Sequence, residues 1–101
     1  MIPPDDCQTM TEVRAGVDAL DAQIVELLAT RFAFMRAAAR IKPNREAVRD
    51  EQRKARVVGN AKAEAARLGV PLDVVDEVWE RLVEASIAYE LARWDEQRGS
   101  Q

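Results

Sequence analysis

Residues 9–42 read TMTEVRAGVDALDAQIVELLATRFAFMRAAARIK, and the length of this stretch decides the fold. Val13, Val17, Leu20, Ile24, Leu27, Leu28, Met35 and Ala38 recur at three- and four-residue steps, the period of one helix face. Thr9 and Glu12 form a capping-box pair at its start, and Pro43 with Asn44 interrupts it at its end, so the spacing predicts one helix to about Ile41. About thirty residues at about 1.5 Å each give a rod of about 45 Å, whereas a compact monomer of this size is only about 33 Å across. One chain cannot cover it. Two arrangements are open: a dimer in which two long helices pack together and each chain completes the other's core, or a kinked helix in a monomeric bundle. The stripe is continuous and no proline lies inside it, which favours the dimer; Gly16 is the one place where the start can loosen.

Working outward, the polar run KPNREAVRD (42–50) leads to a second helix that starts near residue 47 or 50 and runs to Leu68, with Gly69 as its stop. Pro71 and Asp73 open a third helix, which carries Val74, Val75, Val78, Leu82, Ile87 and Leu91 towards Trp94. No strand-like alternation interrupts this pattern, so the fold class is all-α. The expected organisation is a flexible N-terminus (1–8), one helical domain (9–97) and a flexible tail (98–101).

Composition narrows the function classes. At 101 residues, 48% hydrophobic and 33% charged, the chain suits a single core. A net charge of -3 with no long basic run argues against nucleic-acid binding, and any positive site must be local. No stretch resembles a secretory leader or a bilayer span, so membrane insertion is not expected and the cytoplasm is the default location. Cys7 stands alone, so there is no internal disulfide, and it reads as a bystander. The chain has no histidine, which removes imidazole bases, imidazole-based triads and nearly all zinc sites. Chemistry has to rest on carboxylates, amines, guanidiniums or hydroxyls.

The long helix carries three notable cations. Arg31 and Lys42 differ by about 20° around the axis at about 100° per residue, whereas Arg14 lies about 25 Å from Arg31 and about 100° away from it. In an antiparallel dimer, Arg14 of one subunit approaches Arg31 and Lys42 of the other. Such a cluster makes sense only when an anion, a dicarboxylate or phosphate, completes it. The plainer alternative is that these side chains are solvated, pair with carboxylates one turn away, or lay their stems over apolar neighbours. On the third helix Ser86 and Glu90 are adjacent at i and i+4, on a face shared with Val83 and Ile87. At the surface Glu90 is ionised; in an apolar pocket such a carboxyl stays protonated and donates a hydrogen bond.

Three segments, EVRAGVDALDAQIVELLATRFAFMRAAARIK, AVRDEQR and EASIAYE, resemble the all-helical class of chorismate mutase, in that family's order, from about residue 9 to residue 94. The specific marks are R-x-x-V-D-x-L-D from Arg14 to Asp21, Arg31 eleven positions before Lys42, and VRDxxR from Val48 to Arg53. The resemblance implies an intertwined homodimer of three-helix chains whose two active sites each borrow one arginine from the partner. Arg14 matches the borrowed arginine, Arg31 the second carboxylate-binding arginine, and Lys42 the lysine that meets the substrate's ether oxygen and a carboxylate. Asp50 falls at a loop position that acts partly through its backbone, Arg53 at a further arginine, and Ser86 at a hydroxyl that meets a carboxylate. Glu90 stands where many bacterial members donate to the ether oxygen with glutamine and others with a protonated glutamate.

The implied reaction, chorismate to prephenate on the way to aromatic amino acids, is an intramolecular [3,3] rearrangement that needs no nucleophile, base, metal or cofactor. There are two departures. Lys54 replaces a glutamate that binds the ring hydroxyl, and the loop between Lys42 and Asp50 is one residue shorter than the mutase pattern. The related isochorismate-pyruvate lyases of salicylate and siderophore pathways also look similar, through Asp6 and Cys7, the first helix and the end near Trp94. That lyase activity is the alternative function. A non-catalytic helical dimer or regulatory module is the third.

Overall fold

The computed structural model describes residues 1–99, and among them there are three α-helices and no strand: α1 (Met10–Ile41), α2 (Glu51–Leu68) and α3 (Leu72–Gly99). The all-α expectation holds. None of these helices is long and apolar enough to cross a membrane. The chain divides into two compact units, Met1–Phe34 and the residues from Met35 onward.

In the first unit, Thr9 and Glu12 cap the start of α1 as expected, with the Glu12 carboxylate reaching the Gln8 N–H in place of the Thr9 N–H. The Glu12 N–H donates to Thr9 Oγ1 at 3.2 Å, and the Glu12 carboxylate accepts from the Gln8 N–H at 3.2 Å and from the Thr9 hydroxyl at 3.0 Å. These contacts satisfy amides that a helix start leaves without carbonyl partners. Ahead of α1, Pro4–Asp6 form a short 3₁₀ turn, and Met1 lies close to Gly16. Further along, the α1 stripe is open to solvent at Val13, Val17, Leu20, Ile24 and Leu27, with Ile24 53% exposed. A helix of 32 residues is about 48 Å long.

In the second unit, α2 and α3 pack around Val48, Val58, Val83 and Ile87, with Val57, Trp79 and Leu91 flanking them. The linker is more ordered than a plain loop. The Asn44 side chain accepts from the Ala47 N–H at 3.0 Å and caps a 3₁₀ turn, Arg45–Ala47, which delivers Val48 into the core. The α2 helix begins at Glu51, one residue past the later of the two expected starts, because Asp50 is its N-cap: Asp50 Oδ1 accepts from the Arg53 N–H at 3.0 Å. It stops where expected. Gly69 is left-handed at φ 74°, and the Val70 N–H closes on the Ala65 carbonyl at 2.8 Å. Gly69→Ala is therefore expected to destabilise the protein by about 1 kcal/mol, measurable as a lowered midpoint in urea unfolding, since a Cβ is strained at that φ.

The third helix starts just after Pro71, whose carbonyl accepts the Val75 N–H, and it continues past Trp94 to Gly99. Arg98 and Gly99, assigned by sequence to a tail, are thus helical, and the Arg98 guanidinium is tied to the end of α1. Residues 100 and 101 of the expected tail lie outside the described residues.

Candidate active site

Among the described residues, the buried polar side chains lie on one face of α3. Val83, Ser86, Ile87 and Glu90 follow the three- and four-residue rhythm and all point inward, so the core that buries the two aliphatic residues also buries a hydroxyl and a carboxyl. Glu90 is only 4% exposed. An acidic side chain is rarely this enclosed without a partner. The partner is Lys42, just past the end of α1, whose Nζ lies 2.6 Å from Glu90 Oε2.

That contact is coulombic rather than well aligned, since Oε2 is buried and receives no properly directed hydrogen bond. The ammonium also donates weakly to the Val48 carbonyl at 3.5 Å. Its side chain keeps 29% of its exposure against 5% for Glu90, so the pair is reached from the lysine side. Chemically this is a cation and a carboxyl in direct contact at the edge of an apolar core, with room for a polar ligand atom only when the ammonium moves away. Ser86, one turn before Glu90, donates its hydroxyl to the Leu82 carbonyl at 2.7 Å.

The remaining expected site residues are distributed as follows. Asp50 and Arg53 are neighbours through the α2 cap, which occupies the Asp50 carboxylate, while the Asp50 carbonyl accepts from the Lys54 N–H at 2.9 Å. Arg53 is exposed and lines an open groove with Val57, Ala61 and Trp79. Arg14 and Arg31 belong to α1 in the first unit, Arg14 exposed and Arg31 half-buried. Seventeen positions of one helix separate them by about 25 Å, so a single chain does not bring this pair to one small ligand.

Lys54, which replaces the glutamate of the mutase pattern, turns to α3, with Nζ 3.0 Å from Glu80 and 3.3 Å from Glu84. Hydrogen bonding to Glu80 raises its pKa above the ordinary lysine value and keeps it a cation. Glu84 is also gripped by Arg49 at 2.9 Å, and those hydrogen bonds hold its carboxyl below the usual range. Position 54 is thus part of an ionic strap between α2 and α3.

Two residues beside Lys42 escaped the reading from sequence. Trp94 Nε1 donates to the Lys42 carbonyl at 3.2 Å, and Arg98 donates to the carbonyls of Ala39 and Lys42 at 3.1 and 3.0 Å. A signal for both existed: Glu90, Trp94 and Arg98 are spaced i, i+4, i+8, and Pro43 removes an N–H that α1 needs.

An isochorismate pyruvate lyase of Pseudomonas aeruginosa is 26% identical over 100 residues, spanning 99% of this chain and 99% of the lyase. The description chorismate mutase type II matches residues 13–91, which includes α2 and the Lys42–Glu90 pair and most of α1 and α3. The chain belongs to the chorismate mutase type II family.

Proposed function

We propose that this enzyme converts chorismate to prephenate as a homodimer with active sites shared between subunits. The observation that carries the reading is the Lys42–Glu90 pair, a cation and a buried carboxyl 2.6 Å apart at the two positions matched to ether-oxygen stabilisation. In the [3,3] rearrangement the ether C–O bond breaks as a C–C bond forms, and no proton or electron leaves the substrate. Negative charge grows on the ether oxygen in the transition state. A preorganised ammonium and a protonated carboxyl aimed at that oxygen lower the barrier, because they interact more strongly with the transition state than with the bound substrate. Donation by Glu90 requires a proton on it, and the Lys42 ammonium has to leave Glu90 for the substrate.

The other residues hold the dianion in its compact conformer. Arg31 and the partner's Arg14 take the two carboxylates, with Arg53 as a further donor, Ser86 donating once its hydroxyl turns from the Leu82 carbonyl, and Asp50 contributing through its backbone N–H. The open apolar stripe of α1 supports the dimer, since a row at Val13, Val17, Leu20 and Ile24 left in water is unfavourable and self-complementary under a two-fold axis.

A second reading, isochorismate pyruvate lyase, is favoured by the full-length match to the Pseudomonas enzyme and by Lys54. With the ring-hydroxyl glutamate absent and Lys54 held by Glu80 and Glu84, the group whose ring position distinguishes the two substrates loses its usual partner. Giving each substrate separately to the purified protein decides between them. Chorismate is expected to react with a kcat/KM at least about tenfold above that for isochorismate, a ratio within reach of differential transition-state binding. Salicylate and pyruvate formed from isochorismate at the higher efficiency would establish the lyase instead. Turnover of neither substrate would leave a non-catalytic helical dimer.

A further inference from the structure

We infer that Trp94 and Arg98 are positioning residues that hold Lys42 in place for the reaction, so that one stripe of α3 grips this lysine at both ends. The inference rests on the role given to Lys42 above. It begins from a defect in α1. The Lys42 N–H closes the last helical bond to Ala38 at 2.9 Å, and the donor next in line for the Ala39 carbonyl would be residue 43. That residue is a proline and has no N–H. Ala39 is fully buried at 0% exposure, so water cannot take the place of the missing donor, and an unpaired carbonyl there is costly.

Arg98 fills the gap from α3. One terminal nitrogen donates to the Ala39 carbonyl at 3.1 Å, while the other reaches the carbonyls of Arg40 at 3.4 Å and Lys42 at 3.0 Å. A cation against the last carbonyls of a helix also meets the negative end of the helix dipole. Trp94 adds the second donor to the Lys42 carbonyl, and its ring lies under the Arg98 guanidinium at 4.2 Å, which fixes the plane of the guanidinium.

The geometry then closes on itself. Glu90, Trp94 and Arg98 are spaced by successive steps of four on one helix, with a drift of only about 40° per step. The first meets the ammonium of Lys42, and the second and third hold its peptide carbonyl. A lysine side chain has rotational freedom that a transition-state contact cannot tolerate; two donors on its carbonyl oxygen fix the backbone from which the side chain starts, and so limit where Nζ can reach.

The test uses the full-length protein in three variants. Arg98→Met keeps a long stem without donors, Arg98→Lys restores one cationic donor, and Trp94→Phe removes the N–H while keeping a ring. Steady-state kinetics on chorismate and on isochorismate are combined with the ¹H–¹⁵N signal of the Lys42 ammonium, which is visible only when that group is held. Arg98→Met is expected to lower kcat about ten- to a hundredfold with KM within about threefold, and to abolish the ammonium signal. Trp94→Phe should act in the same direction, and Arg98→Lys should recover part of the loss. In a Lys42→Ala background Arg98→Met should cause no further fall in kcat, a non-additivity that general damage to the fold would not produce. An unchanged ammonium signal and kcat in Arg98→Met, or the same fold-loss with and without Lys42, overturns the inference. A wild type inert on both substrates overturns the catalytic reading alone, and the ammonium signal then still decides whether the clamp exists.

Discussion

Lys42→Ala is expected to lower kcat on chorismate by about 10²–10³-fold, the usual effect of deleting one preorganised donor to a developing oxyanion. The substitution has a second consequence. Glu90 is 4% exposed, and Lys42 is the cation it meets, so truncation leaves a buried carboxyl without its charge partner. A loss of about 1–3 kcal/mol in stability is expected on that account, discounted for the partial exposure of the lysine. The two effects are separable by Glu90→Gln. That change removes the acid but retains a hydrogen-bond donor and needs no proton, so kcat should stay within about tenfold of wild type. Combined with Lys42→Ala, it should restore stability without restoring activity. Parallel measurement of kcat and thermal midpoint for the three variants checks this. An active Lys42→Ala protein would remove the ether-oxygen role.

Ile24→Asp is expected to abolish the proposed dimer and, with it, the activity. Burying an isoleucine is worth about 1.5–3 kcal/mol, and a two-fold interface counts each substitution twice. Replacing it with a carboxylate adds desolvation on both sides, so association should weaken by at least about 10³-fold at about 1.4 kcal/mol per decade. Sedimentation equilibrium reads the assembly directly. Under the proposed shared site, activity should vanish in step, because the partner's Arg14 would be lost from it. A sharper version refolds Arg14→Ala and Arg31→Ala chains together. Random pairing makes half of the dimers mixed, and each mixed dimer rebuilds one intact site of two, so about a quarter of wild-type activity should return from two inactive proteins. No recovery, or a fully active Ile24→Asp monomer, would rule out the shared site.

Much of the architecture is legible along the chain because its causes are local. The start of α1 follows from Thr9 and Glu12, its end from Pro43, the α2 stop from Gly69, and the inward face of α3 from the spacing of Val83, Ser86, Ile87 and Glu90. Each depends on neighbours within about one or two turns, a distance over which backbone geometry is nearly fixed by residue type. The late end of α3 was not legible in this way, since an RGSQ tail carries no helix-forming signal of its own. The helix reaches Gly99 because Arg98 finds acceptors near residue 40, a contact 56 to 59 positions away in sequence.

The candidate site divides along the same line. Residue types and spacing were enough to single out Lys42, Glu90 and Ser86, and the length of α1 pointed to a partner chain over Val17, Leu20 and Ile24, with a kinked monomer as the alternative. Tertiary packing alone decided that the Lys42 ammonium meets a buried Glu90, that Trp94 and Arg98 hold its carbonyl, and that Lys54 is bound to Glu80 and Glu84. Periodicity tells which face of a helix is buried, but the side chain found across the gap depends on how two helices separated by some fifty residues are registered, and no local rule contains that information.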